Sequence, residues 1–169
     1  MSRVEGADIE QHVLLAEVDD ARDADALFRH RYGQPPPDFP HHVIAFARTP
    51  AGRGEALCYI HFTAVGEVLL GGGACVDNRA LRRLPAATRA AIRDAGGLYR
   101  HALAWSVAHF ASRFAAIFGY CGDPLAERAD LAVGFTKTAH KHLLVLFTRD
   151  CDAEERERLI ATAHAVGPF

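Results

Sequence analysis

The stretch IFGYCGDPLAERADLAVGF at residues 117–135, continued by HKHLLVLF at 140–147, carries most of the information about the fold. Residues 115–121 (AAIFGYC) are apolar with aromatic and β-branched side chains, as in a buried strand. Asp123-Pro124 then marks a helix start. An aspartate oxygen accepts from first-turn amides, and proline fits the first helical position, where its missing N–H is not needed. Gly134 ends that helix, because glycine tolerates the left-handed conformation of a helix terminus. Residues 141–148 read as a second strand, giving strand, helix and strand in close succession.

Working outward, residues 12–18 (HVLLAEV) read as an opening strand. A helix capped by Asp19 or Asp20 follows and carries Ala24, Leu27, Phe28 and Tyr32 at helical spacing; Gly33 and three prolines end it. Three strand-like runs come next, at 42–48, 55–64 and 67–76, with short turns at 49–54 and 65–66 that imply antiparallel hairpins. Residues 78–95 read as an arginine-rich loop with a short helix. Gly96-Gly97 opens a longer helix to about Phe110, whose wide apolar stripe suits packing on a sheet. Asp152, with Glu155 three residues on, resembles a capping box for a last helix reaching about Ala165. The order predicts an α/β (α+β) domain with a mixed, mostly antiparallel sheet flanked by helices.

Composition sets the outer bounds. A chain of 169 residues accommodates one domain, taken here as 1–169, and half of its residues are hydrophobic. Nineteen Lys and Arg against 21 Asp and Glu leave a net charge near −2, without the basic excess of a nucleic-acid binder. The four cysteines are scattered without a C-x-x-C pair, as expected for buried thiols in a reducing compartment. Residues 1–10 have no apolar core of a signal peptide, and no apolar run is long enough for a membrane span. A cytoplasmic location is the default expectation.

Three stretches together resemble the GNAT acyl-CoA-dependent acyltransferases: LLAEVDDARDADALFRHRY at 14–32, EVLLGGGACVDNR at 67–79, and the strand, helix, Gly-Phe and closing strand of 117–147. The resemblance implies acyl transfer from acetyl-CoA or another acyl-CoA, as co-substrate, to a primary amine on a small molecule or a protein. It also implies that Gly71-Gly72-Gly73 marks a bulge that splays two strands. Backbone groups at Ala74, Cys75 and Val76 would then pair with the pantetheine arm. The bland reading of the glycines is close packing alone.

For the phosphates, Arg93-Asp94-Ala95-Gly96-Gly97-Leu98 is a degenerate form of the family's Gln/Arg-x-x-Gly-x-Gly/Ala loop. Arg93, Gly96, Gly97 and Leu98 are its candidate contacts. Leu98 replaces a small residue, and the segment comes late because 79–95 looks inserted. Arg79, Arg82, Arg83, Arg89, Arg93 and Arg100, with Asp94 as the single acid among them, form a basic run suited either to nucleotide phosphates or to a solvated helix face.

Catalytic candidates depart from the family pattern. The family often places a tyrosine four residues before the glycine of Gly-Phe to protonate the leaving thiolate; here Asp130 stands before Gly134-Phe135. An aspartate donates a proton near neutrality only with a strongly raised pKa, and the alternative, the one favoured here, is that Asp130 is an ordinary surface residue of the helix. Tyr120 is the substitute donor, with a core tyrosine as the alternative. His61, sharing a strand face with Tyr59 and Thr63, and Glu67 at the next strand are the candidate bases. The alternative for His61 is a hydrogen-bonded structural histidine.

Ten histidines raise the question of metal. His140 and His142, spaced as on one strand face, lack two further ligands, so no metal is expected. With Ser2, Ser106 and Ser112 the only serines and no G-x-S-x-G elbow, a serine hydrolase is excluded. Two alternatives remain open: a GNAT-like module that binds CoA or another ligand without catalysis, and a thioesterase using water. The strand at 143–147 belongs either inside the sheet or at a homodimer interface.

Overall fold

The computed structural model describes residues 8–169. Seven strands form one sheet: β1 (Val13–Val18), β2 (His41–Thr49), β3 (Gly52–Val65), β4 (Val68–Val76), β5 (Ala116–Tyr120), β6 (Thr136–Lys137) and β7 (Leu143–Phe147), in the order β1-β2-β3-β4-β5-β7-β6. Neighbouring strands are antiparallel except β4 and β5, which run parallel. Six helices accompany them: α1 (Asp25–Tyr32), α2 (Asn78–Arg83), α3 (Ala86–Asp94), α4 (Leu98–Phe110), α5 (Pro124–Val133) and α6 (Ala153–Val166).

Strand alternation sorts the core into two faces. Val43, Ala45, Ile60, Phe62, Leu69 and Ile117 pack under α3 and α4. Their neighbours face the other way. Ile44, Phe46 and Tyr59 pack under α1, whereas Leu70, Phe118 and Val145 pack under α6. The opposite face therefore carries two separate clusters, α1 packing over β3 and β4 and α6 reaching β4 from the side of β5.

Local signals explain the helix boundaries. Asp123 accepts from the Leu125 amide at 2.9 Å, and Asp152 accepts from the Glu155 amide at 2.8 Å, the two caps expected from sequence. Asp20 caps the turn Ala21–Ala24 that leads into α1, and Gly33 ends α1 in the left-handed region at φ 73°.

Three expectations are corrected. Residues 78–95 are not a loop with one helix but hold two helices, because Leu84 precedes proline and is pushed out of the helical region to ψ 154°. The fourth strand starts at Val68, which leaves Glu67 in the turn. The seventh starts at Leu143, so His140 and His142 share no strand face: His142 has φ 68°, and His140 stacks on His164 of α6 at 3.6 Å. The two-residue β6, unforeseen in the sequence, pairs with β7, which therefore lies inside the sheet rather than at a free edge.

Candidate active site

β4 and β5 pair over four residues, ending at Gly71 opposite Gly119. Beyond this point β5 turns to pair with β7, and β4 runs on at 72–76 with β3 alone. One edge of β4 is consequently left without a strand partner, at an opening between two parallel strands. A bulge accompanies the parting: Tyr59 pairs with Cys75 and His61 with Gly72, so Gly73 and Ala74 together face Ile60. Gly73 takes φ 57°, a conformation glycine adopts at low cost.

His61 lies directly on this bulge, its ring 6.3 Å from Phe28 of α1. A Cβ at Gly73 would fall 1.9 Å from His61 Cε1. The imidazole is 7% exposed and stacks 4.4 Å from the Phe39 ring. Its Nδ1 is the one buried side-chain nitrogen or oxygen without a hydrogen-bond partner among the described residues. Burial, with a smaller contribution from the charge of His42, lowers its pKa to about 4, so the ring is neutral across the physiological range. Leaving such an atom unpaired costs about 1–3 kcal/mol, and sites of this kind call for a functional or solvent partner.

Asp130 stands on the other face of the same opening. It is 3% exposed, not a surface residue, because it falls on the α5 stripe between Ala126 and Val133 that packs on the sheet. Tyr99, from the first turn of α4, donates to its Oδ1 at 2.7 Å. Its Oδ2 lies 3.7 Å from where a Cβ on Gly119 would be, beside the last paired residue of β5. Burial raises the Asp130 pKa to about 6, against the opposing effect of hydrogen bonds from Tyr99 and Cys121, and nearby Glu127 adds to the rise. Burial and the same carboxylate push the Tyr99 phenol far above its ordinary value.

The remaining expected residues fall in several places. Tyr120 ends β5 on the face of α6, 5.9 Å from the Phe169 ring and 6.0 Å from His142, across the sheet from Asp130. Phe169 itself lies against β4: a Cβ on Gly72 would meet its backbone at 2.8 Å. Glu67 sits apart from all of these, at the far end of β4, ion-paired with Arg149 at 3.3 Å and Arg158 at 2.9 Å. Along the open edge, the Ala74 carbonyl accepts from Tyr32 at 2.9 Å. The Cys75 side chain packs toward α1, where burial raises its thiol to about 12. Gly96 and Gly97 lead into α4 with no side-chain cap, and Leu98 is buried. Arg100 folds back onto Gly96, and Arg93 is exposed at the end of α3.

Three parts of this arrangement were not read from sequence: Tyr99 as partner of Asp130, Phe39 against His61, and Phe169 on Gly72. The spacing 126, 130, 133 was the available signal that Asp130 faces inward. Among the described residues no group of three or more His, Cys, Asp or Glu is placed to hold a metal, and no helix is long and apolar enough to cross a membrane.

No family model matches the sequence, and no curated protein matches it. Solved structures do. The ribosomal-protein-S5-alanine acetyltransferase of Vibrio fischeri superposes with a TM-score of 0.53 at 10% identity, over 83% of this chain and 96% of that one. A protein of Exiguobacterium sp. 255-15, provisionally assigned as an acetyltransferase, gives 0.46 at 11% identity over 90% and 98%. AtaT, complexed with acetyl-methionyl-tRNAfMet, gives 0.43 at 17% identity over 80% and 95%. The chain has the GNAT acetyltransferase fold.

Proposed function

We propose that this chain is an acyl-CoA-dependent N-acyltransferase that moves an acetyl or other acyl group to a primary amine. One observation carries the reading: a neutral, unpartnered imidazole and a buried carboxyl of raised pKa flank the point where β4 and β5 part, one on each face of the sheet. The site fits an acyl thioester on three counts: the open edge of β4 offers backbone groups to an extended amide-bearing arm, His61 Nδ1 awaits a partner, and Asp130 is buried beside Gly119.

The thioester supplies an activated carbonyl and a thiolate leaving group. His61 Nδ1 takes the proton that the amine nitrogen sheds as its bond to the acyl carbon forms. As the C–S bond breaks, Asp130 in its acid form gives its proton to the sulfur. Tyr99 is a positioning residue, since its hydrogen bond holds the Asp130 carboxyl against β5. Excluding water from the opening raises the pKa of Asp130 further, toward that of the thiol it serves.

The test is release of free thiol together with acylated product from acetyl-CoA and a panel of primary amines. His61→Gln is expected to lower kcat by about a hundredfold or more while leaving acyl-CoA binding intact, which is the usual scale of a general base. Thiol release without any amine would point to a thioesterase instead. If millimolar acetyl-CoA leaves thermal stability unchanged, binding is absent and the reading fails.

One observation favours a second reading, a CoA-binding module without transfer: Phe169 lies across Gly72 on the side that an amine would approach. Stabilisation by acetyl-CoA with no thiol release for any amine would support it.

A further inference from the structure

We infer that the inserted α2–α3 hairpin holds the 3′-phosphoadenosine end of CoA, so that this protein distinguishes CoA from 3′-dephospho-CoA. The inference rests on the acyltransferase reading above, and it concerns residues outside the reaction site. A groove of about 340 Å³ runs between the two helices, lined by Asn78, Leu81, Arg82, Arg89, Ile92 and Arg93. Leu81 and Ile92 make an apolar floor for a flat base, and three guanidinium groups with one amide make a polar rim. This mixture suits a purine carrying a phosphate.

The charges are distinctive. Elsewhere on α2, arginines are matched to acids: Arg79 pairs with Asp77 at 3.2 Å and Arg83 with Glu55 at 2.6 Å. Arg82 and Arg89 have no acidic partner among the described residues, and Arg93 reaches only Asp94, at 3.8 Å with both side chains 75% exposed. Arg89 instead reaches across the groove to the Arg82 backbone carbonyl at 3.4 Å, and both residues line the same groove. Like charges gathered around one concavity repel, and a phosphate dianion between them removes that repulsion while accepting several charge-assisted hydrogen bonds.

Position selects the nucleotide end of the ligand. Asn78 directly follows Asp77 at the end of β4, whose amide still bonds to the Leu57 carbonyl of β3. From Gly71, where the strands part, to Asp77 is roughly 20 Å of extended chain, a length that a pantetheine arm with its diphosphate can follow. A ligand laid along the open edge of β4 with its thioester near Gly71 therefore presents its adenosine to the hairpin.

The measurement is calorimetric binding of CoA and 3′-dephospho-CoA to the full chain. The wild type is expected to bind CoA about tenfold to a hundredfold more tightly, the scale of charge-assisted hydrogen bonds to one phosphate. The double variant Arg82→Gln/Arg89→Gln should bind both ligands equally, at the wild-type affinity for 3′-dephospho-CoA. Arg83→Gln, which removes a charge outside the groove, should keep the preference. Equal wild-type affinities would overturn this inference and leave the acyltransferase reading standing, as would a preference that survives in the double variant or is lost in Arg83→Gln. Binding of neither ligand would overturn both.

Discussion

His61 rests on Gly73: a Cβ at position 73 would stand 1.9 Å from His61 Cε1 and 2.6 Å from its Nδ1. The bulge that opens the sheet and the seat of the imidazole are thus one piece of structure. Gly73→Ala should be destabilising twice over, through φ 57° and through the clash. Gly66 provides the control, with the same φ 57° and nothing within 4 Å of an added Cβ. Urea unfolding is expected to give a loss of about 1 kcal/mol for Gly66→Ala and about 2–4 kcal/mol for Gly73→Ala. Equal losses would show that His61 does not depend on the bare backbone at 73.

His61 should also shape the acid limb of stability. Its folded pKa of about 4 lies below the ordinary 6.5, so the unfolded chain takes up the proton first. The stabilisation that follows is fully present above pH 6.5 and is lost as pH falls toward 4. His42, whose pKa burial also lowers, adds loss of the same sign. Unfolding free energies measured from pH 7 to 4 should therefore decline less for His61→Phe than for the wild type, by about 2–3 kcal/mol across the window. Parallel curves for the two proteins would place the imidazole in contact with solvent.

The sheet and most helices were legible because their signals are local. Alternation in 42–48 and 55–64, the Asp123-Pro124 start and the Asp152/Glu155 pair each act within a few residues, and each element formed where they pointed. The break between α2 and α3 had a local signal too, in Leu84-Pro85. The pairings around His61 and Asp130 had none. Tyr99 and Asp130 lie on different helices and meet only when α4 packs on α5, while Phe39 reaches His61 from an irregular segment. Glu67 shows the converse: its nearness in sequence to β4 suggested a base, yet the strand carries it to the end of the sheet opposite the opening.

Asp130→Asn should exchange activity for stability. The raised pKa of Asp130, about 6 against an ordinary 3.8, means that the folded chain holds the proton more tightly than the unfolded one. That contribution is complete below pH 3.8 and disappears as pH rises through 6, so the ionised carboxylate burdens the fold at pH 8. An asparagine carries no charge and can still accept from Tyr99. Chemical denaturation at pH 8 is expected to find the variant about 1–3 kcal/mol more stable than the wild type, with the difference shrinking toward pH 4. Its thiol release from acyl-CoA should fall by about a hundredfold. A variant that is destabilised at pH 8 would mean that the carboxylate charge is compensated in the fold.

Glu17 poses the opposite case, on the same face of the sheet as Asp130 and remote from the opening. Burial alone would raise its pKa, but hydrogen bonds with His109 at 2.6 Å, His41 at 2.7 Å and Arg113 at 3.0 Å outweigh it and bring the value to about 2. A depressed carboxylate pKa stabilises the fold above the ordinary 4.5, and this stabilisation is lost as pH falls from 4.5 toward 2. The cluster ties β1 to β2 and to the end of α4, since its members come from all three regions. Glu17→Gln should cost about 2–3 kcal/mol at pH 7 and remove most of the difference by pH 3. The loss should show in unfolding free energy without a change in acyl-CoA affinity, because none of these side chains reaches the parting of β4 and β5. An altered affinity at unchanged stability would instead couple this cluster to the site.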